Sequence, residues 1–382
     1  MAAKTQIYLD YAAATPLDPT VLAAMQPYLS SKFYNPSAGY LAAQQVHKDL
    51  EIARAAVAHW FGARPSEIIF TAGGTEANNL AIHGLMRGHP GSNIVVSSVE
   101  HESVLAPAHN YPCKEAPVNG QGAVDVAKLN KLIDDKTVLV SVMYANNEVG
   151  TIQPIREVSQ LLANIRVARR KAGNKLPIYL HSDACQAASY LDLHAARLGV
   201  DLMSINGGKI YGPKQSGALY VKAGIVLEPL ITGGGQERGL RSGTENVAAC
   251  VGLATALDGV QTKRHEEAAR LQKLQQQFFH LLEQKIPAVI INGPRKHRLP
   301  NNVHIIVPGQ DNERLLFALD EAGILAAAGS ACSADSGEPS HVLSAMGVSD
   351  ADAQASLRFT MGRQTTVDDV GQAVTTLARL LA

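Results

Sequence analysis

The stretch IYLHSDACQAASYLDLHAARLGVDLMSINGGKIYGPKQSGALYV (178–221) decides the fold. It contains three short apolar runs, IYLHSD (178–183), DLMSI (201–205) and GALYV (217–221), each of strand length and each read as a buried strand. Working outward, EIIFT (67–71), IVVSS (94–98) and VLVSVMYA (138–145) read the same way. Helical patterns lie between several of them, such as Ile155, Val158, Leu162 and Ile165. A clear helix runs from Gly39 to Trp60, where Val46, Leu50, Ala53, Val57 and Trp60 fall at steps of four and three. Continuous apolar strands alternating with helices predict an α/β fold with a mostly parallel sheet covered on both faces. Ligands of such sheets bind beyond the carboxyl ends of the strands. That is where this chain gathers its Gly, Thr, Asn, Asp and Lys residues.

The pattern changes near Thr262. A long polar helix (HEEAARLQKLQQQFFHLLEQKI) leads to strand-like AVIIN and NNVHIIV, the helix ERLLFALDEAG, a Gly/Ser/Cys loop and a final helix after Thr366. The expected organisation is an N-terminal arm (1–15), a large domain (16–260) and a small α+β domain (261–382) against which the arm packs. The length of 382 residues suits such a division. Hydrophobic residues make up 46% and charged residues 18%, which argues against disorder as the main state. Lys plus Arg and Asp plus Glu each number 34, so no charge excess points to nucleic acid or an anionic membrane as main partner. No apolar run approaches the roughly 18 residues of a membrane span. The start MAAKTQIYLDYAAATP carries no signal-like stretch, so the expected location is the cytoplasm. Cys113, Cys185, Cys250 and Cys332 are far apart, which argues against a disulfide framework or a self-contained zinc site.

Several segments could carry chemistry. AGGTEANN (72–79) lies at a strand-to-helix turn, where Gly74, Thr75 and free helix N–H groups suit a phosphate, or simply form a capped turn. In SINGGKIYGPKQSGALY (204–220), Lys209 stands between two apolar strands. Desolvation there would lower its pKa and make a nucleophilic amine of the kind that forms Schiff bases. Lys214, after the Gly-Pro turn, is read as an ordinary surface residue. Asp183 ends a buried strand and needs a cationic partner; a protonated pyridine nitrogen would serve, and a helix cap is the plain alternative. Cys185 beside it reads as core filling. His101, in VEHES (99–103), could stack on a planar cofactor and move protons, or be a structural histidine. In AAGSACSADSGEPS (327–340), Cys332 lies among small residues, a setting for a reactive thiol, whereas Cys250 in NVAACVGLA reads as core. RSGTEN (241–246), after GGGQERG, offers Thr244 as a further phosphate contact. LRFTMGR (357–363) places Arg358 on a strand-like segment as a bidentate carboxylate clamp or a surface ion pair.

The order and spacing of these segments resemble the pyridoxal-phosphate-dependent cysteine desulfurases of the NifS-like and IscS-like type. The resemblance runs from YLDYAAATP through NNEVGTIQP, DLMS…GKIYGPK, GGGQERGLRSGTEN and GSACS…EPSHVL to LRFTMGR. It implies a homodimer with the type I aminotransferase fold: a large domain with a mostly parallel seven-stranded sheet and a smaller α+β C-terminal domain. It implies that Lys209 holds the cofactor as a Schiff base, that His101 stacks on its ring and that Asp183 pairs with the pyridine nitrogen. Gln186 would bond the ring hydroxyl, and Asn147 would lie near that hydroxyl and the substrate carboxylate. Gly74 and Thr75 would bind phosphate, with Thr244 supplied by the partner subunit, and Arg358 would clamp the substrate carboxylate. Cys332 would take sulfur from L-cysteine as a persulfide and pass it to an iron–sulfur scaffold or a tRNA-thiolation enzyme, with a transient role as iron–sulfur ligand also open.

The chain departs from the pattern in places. Gly208 stands before Lys209 where the family usually has His, and Asn206 stands where Ser is usual; both usual side chains bind phosphate. Asn206 keeps a donor, whereas Gly208 offers backbone alone. NPSAGYLAA lacks a customary His, Gln236 replaces another, and Glu102 stands where Lys is frequent. These departures predict weaker cofactor retention or altered substrate handling rather than loss of the reaction. Two other readings are a related lyase or aminotransferase with the same cofactor, acting on selenocysteine or another small amino acid, and a degenerate, non-catalytic scaffold.

Overall fold

A computed structural model describes residues 6–329 and 339–381 of the chain. The arm begins with β1 (Ile7–Tyr8), followed by α1 (Pro19–Leu29) and α2 (Leu41–Phe61). Asp18 caps α1 by accepting the Thr20 N–H. Val46, Leu50, Ala53 and Val57 are buried on one face of α2, and Gly62, with φ 60, ends that helix in the left-handed conformation.

The elements β2 (Ile68–Thr71), α3 (Gly74–Arg87), β3 (Asn93–Ser97), α4 (Glu102–Ala108), β4 (Cys113–Ala116) and α5 (Val126–Leu132) come next. They lead to β5 (Thr137–Ser141), α6 (Ile155–Lys171), β6 (Tyr179–Asp183), α7 (Ala195–Leu198), β7 (Leu202–Asn206) and β8 (Gly217–Val221). β2 to β8 form the expected seven-stranded sheet, in the order β2-β8-β7-β6-β5-β3-β4. β4, β3, β5, β6 and β7 are parallel, while β8 runs antiparallel to both β7 and β2. Two antiparallel pairings in succession return β2 to the direction of β7. The carboxyl ends of β2, β3, β5, β6 and β7 therefore share one edge of the sheet.

Strand side chains alternate between two cores, as a period of two requires. Ile69, Ile94, Val96, Leu139, Leu202 and Leu219 pack with Leu80 and Val104 of α3 and α4. Ile68, Phe70, Val95, Val140, Met203 and Ile205 face the other way, with Val57, Phe61, Val158 and Leu162. Two details differ from the sequence reading. β4, with sequence CKEA, is an additional edge strand whose half-exposed, charged residues hide it from apolar patterning. The run 138–145 ends as a ladder strand at Ser141. Beyond it the chain keeps only the β6 side, through Val142 N–H to His181 O and Tyr144 N–H to Asp183 O.

The remaining chain forms α8 (Val247–Thr262), α9 (Arg264–Lys285), β9 (Ile290–Ile291), β10 (Asn302–Ile306), α10 (Asn312–Glu321) and β11 (Ile324–Leu325). After the undescribed segment come α11 (His341–Ala345), α12 (Asp350–Ala353), β12 (Ser356–Thr360) and α13 (Val367–Leu381). β12, β10 and β9 make an antiparallel sheet, and β1 pairs with β11 in parallel. Leu271, Phe278, Val303, Ile305, Phe359 and Val374 build a separate core that takes in Ile7 and Leu9 of the arm. The rings of Phe278 and Phe359 lie 5.2 Å apart within it. Each side chain fully buried there stabilises the fold by roughly 1.5–3 kcal/mol.

Candidate active site

The shared strand edge opens into a cavity of about 230 Å³. Ala12, Ala13, Gly74, Thr75, His101, Ser103, Met143, Ala145, Asn147, Asp183, Cys185, Gln186, Asn206, Lys209 and Arg358 line it. Most come from strand ends, helix starts or the first turn of chain after β1; Met143, Ala145 and Asn147 come from the segment after β5, and Arg358 from the middle of β12. Thr71 of β2 leads to Gly73, whose φ of 144 is open to glycine, and so to the first turn of α3 at Gly74 and Thr75. A Cβ on Gly74 would stand 2.6 Å from the Cys185 sulfur, so this position has room for backbone alone. The result is a concave helix N-terminus with free N–H groups, suited to a phosphate.

Lys209 follows β7. Its Nζ donates to the carbonyls of Ala12 at 2.7 Å and Ala13 at 2.6 Å. Burial pushes its pKa below the ordinary lysine value, the neighbouring Arg358 adds to that, and the Cys185, Asp10 and Asp183 groups oppose it. Gln186 Nε2 donates to the same Ala12 carbonyl at 3.0 Å, so the two side chains share one acceptor. Lys214 is exposed.

Asp183 ends β6 and is buried. Its Oδ1 accepts the Cys185 N–H at 2.9 Å and its Oδ2 accepts Asn78 Nδ2 at 2.7 Å. Asn78 Nδ2 also donates to Ser103 Oγ at 2.8 Å, and Ser103 Oγ lies 2.9 Å from His101 Nδ1. A continuous chain thus links the carboxylate to the imidazole. His101 is also the N-cap of α4, accepting the Ser103 N–H on Nδ1 at 3.0 Å, which puts the proton of the neutral ring on Nε2. The two readings of His101 are therefore compatible. Cys185 is not core filling: it lines the cavity beside Asp183, and burial raises its thiol pKa well above the usual value.

Arg358 of β12 is 2% exposed. One terminal nitrogen donates to the Asn147 carbonyl at 3.0 Å and the other to Asp10 Oδ1 at 2.8 Å, while Nε has no partner among the described residues. It is a buried, held guanidinium rather than a surface ion pair. Asn206 lines the cavity next to Gly74, and its Oδ1 accepts the Gly208 N–H at 2.9 Å. Gly208 itself does not line the cavity. Its N–H is occupied by Asn206 and its carbonyl by Thr15, which removes the backbone contact expected of it. Thr244 is exposed and lies off the cavity of its own chain. Cys332 lies outside the described residues, between Gly329 and Pro339. Among the described residues no cluster of His, Cys, Asp and Glu could hold a metal ion, and no helix is long and apolar enough to cross a membrane.

Asn78, Ser103, Ala12 and Ala13 were not found from sequence. An amide, a hydroxyl and two backbone carbonyls carry no distinctive residue type; the only signal was the position of Asn78 one turn beyond Gly74.

Residues 7–372 match the family described as aminotransferase class-V. The chain is 42% identical to the cysteine desulfurase IscS of Dictyoglomus turgidum, over 99% of this chain and 95% of that one. It is 39% identical to the cysteine desulfurase IscS 1 of Archaeoglobus fulgidus, over 95% and 94%. Among solved structures, a NifS-like protein matches with a TM-score of 0.90 at 32% identity, covering 99% of both chains.

Proposed function

Because the chain belongs to the class-V aminotransferase family and is a pyridoxal-phosphate-dependent cysteine desulfurase, we propose that Lys209 and Cys332 carry its two chemical tasks. The substrate is L-cysteine, and sulfur passes to acceptor proteins. The residues around the cavity fit the cofactor: a glycine-walled helix start for its phosphate, a buried carboxylate for its ring nitrogen, and a half-buried lysine of lowered pKa. Gly74, Thr75 and Asn206 would hold the phosphate, with Thr244 of a second copy completing the site. Asp183, His101, Gln186 and Asn147 would surround the ring, and Arg358 would clamp the substrate carboxylate. Bound there, the cofactor supplies an aldehyde that condenses with amines and a ring that withdraws electrons.

The chain's own residues supply the rest. Burial favours the neutral amine of Lys209, so that nitrogen would hold the cofactor through its aldehyde and, when free, would take the proton from the substrate Cα. The Asp183–Asn78–Ser103–His101 chain fixes carboxylate and imidazole relative to one another. The Cys332 thiolate would attack the substrate sulfur: an S–S bond forms, the Cβ–S bond breaks with its electron pair left on the substrate carbon, Cβ takes up a proton, and return of the Cα proton from Lys209 leaves alanine. The acceptor of the resulting persulfide is an iron–sulfur scaffold or a tRNA-thiolation enzyme, in the cytoplasm. The organisation we infer is an arm (1–15), a large domain (16–260) and a small domain (261–382), assembled as a homodimer.

The half-buried Lys209 amine, its pKa lowered by desolvation, at the edge where five strand ends meet carries this reading. Alanine and persulfide formation from L-cysteine test it. Lys209→Ala is expected to lose the bound chromophore and to slow alanine formation by roughly 10²–10⁴-fold. Cys332→Ala is expected to form no protein persulfide. Undiminished sulfur transfer by Cys332→Ala would remove that residue from the mechanism.

A further inference from the structure

We propose that Glu148 is a positioning residue for sulfur transfer, its carboxylate tying together both ends of the segment that carries Cys332. Glu148 is 1% exposed and does not itself line the cavity. It follows Asn147, which does. Its backbone is held on both sides, the N–H by Asn146 Oδ1 at 2.8 Å and the carbonyl by Asn302 Nδ2 at 2.7 Å. The preceding carbonyl, of Asn147, takes Arg358. Glu148 is thus a fixed point joined to the cavity wall.

Its Oε2 meets the two flanks of residues 330–338. On the carboxyl side, the Ser340 hydroxyl donates to Oε2 at 2.5 Å. On the amino side, a Cβ on Gly329 would stand 3.2 Å from that same oxygen, so the backbone of Gly329 lies against it. Further ties follow outward. Ala327 exchanges backbone hydrogen bonds with Arg358 at 2.6 and 3.1 Å. His341 Nε2 lies 2.9 Å from the carbonyl of Glu100, the residue before His101. Among the described residues no Lys or Arg forms an ion pair with Glu148, so the hydroxyl is the strong partner of a buried carboxylate. Anchoring Gly329 and Ser340 to one buried carboxylate fixes where both flanks of the Cys332 segment stand relative to the cavity, and a thiol delivered from fixed anchor points reacts faster than one delivered from loose ones. Glu148 is therefore a link between the rigid cavity and the residue that must reach into it.

This inference rests on the reading of Cys332 as sulfur acceptor. The test uses holoenzyme of wild type, Glu148→Ala, Glu148→Gln, Ser340→Ala and Cys332→Ala. Single-turnover persulfide formation on Cys332 is followed by mass spectrometry, and the absorbance response to L-cysteine is followed in parallel. Glu148→Ala and Ser340→Ala are expected to slow persulfide formation about tenfold, the size expected for losing one charge-assisted hydrogen bond. The absorbance response and the KM for L-cysteine should stay within about twofold of wild type. Glu148→Gln keeps an oxygen that accepts the Ser340 hydroxyl and should retain most of the rate. A wild-type persulfide rate in folded Glu148→Ala (or in Ser340→Ala where Glu148→Ala folds poorly), or an equal loss in the absorbance response, would overturn the proposal. Ser340→Ala removes one hydroxyl, which also caps α11 by accepting the Leu343 N–H at 3.3 Å, and preserves the test if Glu148→Ala folds poorly. Undiminished sulfur transfer by Cys332→Ala would defeat the Cys332 reading itself; an inactive Cys332→Ala beside a wild-type Glu148→Ala would defeat the present inference alone.

Discussion

Burial pushes the carboxyl of Glu100 well above the usual carboxylate range, and the nearby Asp183 charge pushes the same way. The Met143 N–H, donating to Oε1 at 2.5 Å, works against both. In the unfolded chain Glu100 ionises near the ordinary value, while in the folded chain burial shifts its ionisation to higher pH. Above that ordinary value the folded state holds the extra proton, so stability falls as pH rises toward the folded pKa. Glu100→Gln removes this dependence. Its Tm relative to wild type should rise between about pH 5 and about pH 8; an unchanged difference at the two pH values would contradict the assignment. The keyed residues of the site were legible one by one. Lys209, Asp183 and His101 are chargeable groups stranded at the ends of apolar runs, and that contrast is visible in sequence. Asn78 and the Ala12 and Ala13 carbonyls, which hold those groups in place, offer no such contrast. Cys185 was misplaced because a thiol next to a buried strand has the same pattern whether it faces a core or a cavity.

Elements meet through a buried ion pair. Arg54 of α2 donates to Glu237 at 2.7 and 2.8 Å and to Glu51 at 2.8 Å, and Glu237 Oε2 also accepts the Phe70 N–H of β2 at 2.8 Å. Both side chains are at most 5% exposed. The pair fixes the segment leading to Thr244 against a helix and an edge strand. Arg54→Ala would leave the Glu237 carboxylate buried and unpaired, at a cost of about 3–5 kcal/mol. Denaturant unfolding should show this as a lower midpoint with an unchanged slope; an unmoved midpoint would mean the pair is dispensable. Periodicity placed α2 and the central strands well, because Val46, Leu50, Ala53 and Val57 must share a face. It could not show that β8 runs antiparallel within a parallel sheet, since a strand buried on both faces reads the same in either direction.

At the scale of the molecule, the expectation to test is weaker retention of the cofactor or altered handling of the substrate. Gly208 contributes no donor, its N–H being turned to Asn206, and Thr244 is exposed on its own chain. In the homodimer proposed above, with Thr244 of one copy completing the site of the other, dialysis at low protein concentration should strip cofactor faster than dialysis at high concentration, because dissociation would remove that contact. Thr244→Ala should abolish that difference, and occupancy independent of concentration in the wild type would argue against a shared site. The arm has a consequence of a different kind. Its Ala12 and Ala13 carbonyls hold the Lys209 amine, its Asp10 holds Arg358, and its β1 is stitched to β11. Residues 7–13 are therefore wired into the cavity wall, and anyone fusing an affinity handle or reporter to this enzyme should attach it after α13 rather than ahead of β1.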